Sequence, residues 1–141
     1  MPVTIAAVMT VWLAMTWPAA GVQRGPQRIP PIGIESMTGR DSFSFYCSPC
    51  HGSDGKGNGP VAAALQTAPP DLTLLSRHAG GTFPRSQVQE FVTGTGRPVP
   101  AHGSGDMPVW GPIFRSLDPS DARVKVRIVN LVEFLETIQA R

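Results

Sequence analysis

Glycine and proline punctuate this chain so often, fifteen of each in 141 residues, that few segments can hold long regular structure. Glycine opens backbone conformations that other residues avoid, and proline fixes φ and removes a donor. The expected fold is therefore loop-rich and built of short elements. Between residues 95 and 117 the two recur too closely for any long element. One segment escapes. Asp118 and Pro119 open it as N-cap and first helical residue, and the helix is expected to run to about Gln139. Val124, Ile128, Leu131, Leu135 and Ile138 fall there at helical spacing, with Phe134 beside them.

Shorter elements precede it. Residues 41–50 carry a helical pattern opened near Gly39 or Arg40, with Phe43 and Cys47 one turn apart on one face. Residues 52–59, with glycine at every second or third position, must form a loop. Residues 61–65 read as a short helix ended by Pro69-Pro70, and residues 72–78 as another turn of helix. Pro84 and Gly94 bracket a helix at Arg85–Thr93. No alternating run is long enough for a sheet, and no internal repeat is visible. The class expected is all-α, with about four to five helices.

The length suits one domain. An apolar fraction of 41% and a charged fraction of 16% fit a globular protein. With so little regular structure, a bound group at the centre would supply much of the missing core. A formal charge of +2 is too small to point to nucleic acid. Arg123, Lys125 and Arg127 form the densest basic run, which reads as a solvated surface. No charged side chain precedes Arg24, residues 3–17 are almost wholly apolar, and Ala19, Ala20 and Gly21 follow. Residues 1–21 therefore read as a secretory signal, cut near Ala20 to Val22, which implies export. The apolar run stops at Pro18, short of the ~20 residues of a spanning helix. Residues 22–35 read as a flexible lead-in and 36–141 as the folded domain.

Cys47-Ser48-Pro49-Cys50-His51 is the Cys-x-x-Cys-His signature of c-type haem attachment. Three residues of separation on a helical turn put both thiols along one edge of a porphyrin, where each can add to a vinyl group. His51, next to the second thiol, then presents its imidazole to the iron. A zinc site would need two more paired ligands, and a redox dithiol would expect a βαβ context; neither is present in the pattern. The glycine loop after His51 is no phosphate-binding loop, since Lys56 is followed by Gly57 and no apolar strand precedes it.

A second axial ligand could come from Met37 or Met107, or from His78 or His102. Met37 lies ten residues before Cys47. Met107 lies 56 residues beyond His51, far enough for the chain to wrap over the other haem face, and Pro108 stiffens its loop. Trp110 could cover a haem edge or donate to a propionate, or simply pack. Arg85 and Arg97 could neutralise propionates, or stand exposed.

Three parts of the chain resemble class I cytochromes c. Gly39, Phe43 and Cys47 leading into Cys50-His51 look like the family's N-terminal helix. Met107-Pro108-Val109-Trp110-Gly111 is similar to the distal ligand loop of bacterial members. Phe134, within Leu131-Val132-Glu133-Phe134-Leu135, takes the place of the aromatic that crosses the N-terminal helix at Gly39. The resemblance implies a cytochrome c-like fold around one covalent haem c held by Cys47 and Cys50, with His51 and Met107 as axial iron ligands. It also implies that a proline carbonyl accepts from His51. Pro70 is the match, with Gly59-Pro60 as the other possibility, and Leu72 would pack on the haem. The function implied is single-electron transfer in the periplasm, without catalysis or a small-molecule substrate, between transient redox protein partners. The alternatives are a haem enzyme or gas sensor with Met107 displaced, and an electron-entry subunit tethered to a membrane complex by an uncleaved N-terminus.

Overall fold

The computed structural model describes residues 33–95 and 107–140, all within one unit, Pro31–Arg141. The expected signal at 1–21, most of the lead-in, Arg97 and His102 lie outside the described residues. The described residues form helices and loops, without a strand, as the all-α reading expects.

The first helix, α1, is continuous but not uniform: α-helical at Gly39–Ser42, π-helical at Phe43–Cys47 and α-helical again at Ser48–His51. Thr38 caps it, its hydroxyl accepting from the Asp41 amide at 3.1 Å, while Asp41 accepts from the Ser36 hydroxyl at 2.6 Å. The π stretch has a local cause. Pro49 cannot donate to the carbonyl one turn back and its ring crowds that carbonyl, so the helix widens just before it.

Gly52, at φ 78°, ends α1, and the glycine loop folds back on that end. The amides of Gly57, Gly59 and Val61 donate to the carbonyls of His51, Cys50 and Pro49 at 2.8, 3.0 and 3.0 Å. These are the carbonyls a helix C-terminus leaves without partners. Glycine is required at 57, where φ is 82° and a Cβ would lie 2.2 Å from the Pro69 carbonyl oxygen. Beyond the loop, the helix expected over 61–65 is a single 3-10 turn, Ala62–Ala64. The expected turn over 72–78 is a 3-10 stretch, Leu72–Leu74, running into α2, Leu75–His78. Helix α3 is Arg85–Thr93, closed by Gly94 in the left-handed region at φ 76°.

Two expectations are corrected. An eight-residue helix, α4, spans Trp110–Leu117, where glycine and proline implied no long element. Both breakers lie in its first turn, where the proline's missing N–H has no intrahelical partner to lose. The last helix, α5, is Asp121–Thr137 and is capped not by Asp118 but by Ser120, whose hydroxyl accepts from Arg123 N at 3.4 Å. Asp118 instead accepts from Ser120 N at 3.0 Å and from Arg123 Nε at 2.6 Å.

α5 buries Val124, Ile128, Leu131, Val132 and Leu135 against Phe43, Cys47, Val92 and Phe114. It crosses α1 at Gly39, where a Cβ would lie 1.9 Å from the Asn130 carbonyl oxygen and 2.7 Å from Phe134 Cβ. Phe134 meets Phe43 there, ring centroids 5.2 Å apart.

Candidate functional site

α1 turns His51 into the interior, and the imidazole is 6% exposed. Its Nδ1 stands 3.4 Å from the Pro70 carbonyl oxygen. A carbonyl can only accept, so in this contact Nδ1 is the donor, which turns Nε2 toward the opposite side of the ring. The Pro70 carbonyl, the expected match, is thus beside the ring. The Pro70 segment is itself held: Leu72 N donates to the Gly55 carbonyl at 2.7 Å, and Asp71 accepts from Thr73 N and Oγ1 at 2.8 and 2.6 Å. Those bonds hold the Asp71 carboxyl below its ordinary value.

Cys47 and His51 line a cavity of about 170 Å³ that opens to solvent. Pro70 and Leu72 line one part of it; Val88, Phe91 and Val92 come from α3, Leu131 and Leu135 from α5, and Met107 and Trp110 from the start of α4 and the segment before it. Sequence reasoning had not assigned α3 to the site. The signal was available in the four-residue spacing of Val88 with Val92, the same that placed Leu131 with Leu135 on α5.

The Met107 segment is seated by close packing at the end of α3. A Cβ on Gly94 would lie 2.1 Å from Val109 Cγ1, and one on Gly111 2.4 Å from the Thr93 carbonyl oxygen. Trp110 stacks on Phe114 at 5.6 Å and meets Tyr46 at 5.2 Å.

The cavity therefore brings together Cys47, His51, Met107, Pro70, Leu72 and Trp110. Cys50 is half-buried one turn along α1 and is not among its lining residues. Nor are the rival donors Met37 and His78: Met37 lies before α1, where its carbonyl accepts from Asn130 Nδ2 at 2.7 Å, and His78 is exposed at the end of α2. Arg85 is exposed and pairs with Glu133 and Glu136.

Both cysteines are thiols. Burial, with the neighbouring Cys50, pushes the Cys47 thiol up to about 12. Among the described residues no three His, Cys, Asp or Glu side chains converge as a metal cluster, and no helix is long and apolar enough to cross a membrane. What the cavity offers is an imidazole, a soft thioether and apolar walls, a donor set suited to a transition metal carried in an apolar group. Comparison of the chain with protein-family models, curated proteins and solved structures returned no match.

Proposed function

We propose that this chain is an exported single-electron carrier of the class I cytochrome c type, with one haem c joined to Cys47 and Cys50 and with His51 and Met107 as axial ligands. The observation that carries this reading is the convergence of Cys47, His51 and Met107 on one apolar cavity, with the Pro70 carbonyl engaging the ring nitrogen of His51. The crossing of α1 and α5 at Gly39 and Phe134 supports the cytochrome c-like fold that goes with it.

The donor set fits such a group. When bound, the haem supplies reversible one-electron exchange between ferric and ferrous iron. Pro70 fixes the tautomer and orientation of His51 and raises its basicity. The soft sulfur of Met107 favours ferrous iron and a higher potential. Leu72, Val92, Leu131 and Leu135 surround the donors with apolar surface. With both His51 and Met107 bound to it, the group would have no position left for a substrate, which would suit electron carriage better than catalysis.

A reduced pyridine haemochrome spectrum with intact-mass analysis tests the reading, on protein made in a host that can mature c-type cytochromes. The expected result is one covalent haem on a chain beginning near Val22; a colourless protein would overturn it. Met107→Ala should lose the red charge-transfer band of sulfur-ligated ferric haem and become high-spin. A parent protein already high-spin points instead to the enzyme or sensor.

A further inference from the structure

Arg127 departs from the surface role its sequence context implies. It is 6% exposed, inside the junction of α1, α4 and α5. Its guanidinium donates to the Ser36 carbonyl at 2.7 Å, the Ile34 carbonyl at 2.9 Å and Ser42 Oγ at 3.4 Å. Every one of these acceptors is uncharged. The ion pairs among the described residues join Arg85 to Glu133 and Glu136, and Arg123 to Asp118; none includes Arg127. The guanidinium is thus buried on uncharged hydrogen-bond acceptors and belongs to no ion pair; the nearest compensating charge is Asp118, which lines with Glu35 and Arg127 a cleft open to solvent.

Burying such a charge is costly, and packing alone would be served as well by an apolar side chain. The guanidinium carbon lies 5.7 Å from the Phe114 ring and 6.0 Å from the Tyr46 ring. Both rings touch Trp110, which lines the cavity. One aromatic ring therefore separates the cation from Trp110 on the wall of the site.

The geometry points to Arg127 as the residue that sets the site's reduction potential, through a fixed buried charge that disfavours the oxidised centre. This rests on the proposed haem. Taking one electron from a reductant lowers the iron's charge by one without making or breaking a bond, and a nearby cation stabilises that lower-charge state. The effect needs charge at this position, not the arginine shape.

Spectroelectrochemical titration of the holoprotein, with thermal melts alongside, tests this. At the ambient potential that half-reduces the parent, Arg127→Gln should lower the ratio of reduced to oxidised protein by roughly three- to tenfold. Arg127→Lys should keep the parent's ratio while lowering the melting temperature. A purely structural residue would destabilise both variants and leave the potential unmoved, and that result overturns the inference. Where Arg127→Gln does not fold or loses its sulfur-ligation band, Leu117→Glu decides. Leu117 is 38% exposed and lines, with Arg127 and Tyr46, a second cleft. A carboxylate there should lower the potential in the same direction, and an unchanged potential overturns the inference. Absence of covalent haem in the parent is a different result, and it removes the functional reading itself.

Discussion

Gly39 packs directly against the backbone of α5. The atom that meets its missing Cβ, at 1.9 Å, is the Asn130 carbonyl oxygen, part of the α5 backbone and unable to rotate away. Gly39→Ala must push α1 and α5 apart along the contact that also pairs Phe43 with Phe134. Overpacking of this kind costs about 1–3 kcal/mol. Each kcal/mol moves the melting temperature of a domain this size by roughly 4–8 °C, so a melt of the holoprotein should show a clear drop. An unchanged midpoint would mean that the two helices can part at this crossing without loss. At the same scale, the Cys-x-x-Cys-His run was legible because its chemistry depends on order and spacing alone. Arg127 was not: beside Arg123 and Lys125 it reads as solvated, and the carbonyls of Ile34 and Ser36 that hold it are more than ninety residues away in sequence.

At the scale of elements, acidic side chains at three junctions make the fold sensitive to acid. Hydrogen bonds from Ser36 and Thr38 hold Asp41 below its ordinary value of 3.8 at the start of α1, and those from Thr73 hold Asp71 down beside Pro70. Asp118, before α5, is lowered by its bond from Arg123. A carboxyl depressed on folding contributes stability that is complete above its unfolded value and is lost as pH falls through the folded one. Melting temperature should therefore hold above about pH 4 and fall below it, and Asp71→Asn should make that acid limb shallower in a series of melts against pH. A limb of unchanged slope would remove Asp71 from the cause. Helix α3 was legible because proline and glycine punctuate its two ends. Helix α4 was hidden because the same residue types, Gly111 and Pro112, lie inside its first turn, where Gly111 meets Thr93 at the end of α3. Pro112→Ala should accordingly change stability by no more than about 1 kcal/mol. Gly111→Ala should destabilise and displace the Met107 segment, read as a weakened sulfur-ligation band. Equal effects would show that the contact with Thr93 does not seat that segment.

For the whole molecule, the decisive feature is that core and site share residues. Cys47, Val92, Leu131 and Leu135 belong to the buried apolar cluster and also line the cavity. A core of this size has little surplus, since small domains bury a smaller share of their surface than large ones. Filling the cavity with a large apolar group would complete the packing of those side chains; water there would leave them wetted from within. With the haem as the proposed occupant, Cys47→Ala combined with Cys50→Ala should yield a chain that lacks most of its helical circular dichroism and melts without a cooperative transition. A cooperative melt in that double variant would show that the polypeptide carries its own core. The covalent link adds a second signature. A dissociable ligand makes the melting temperature depend on its free concentration, whereas a group tied through two thioethers cannot leave. The holoprotein midpoint should therefore be unchanged on dilution and by added haem, and each single cysteine variant, still tethered by one sulfur, should fall between the parent and the double variant.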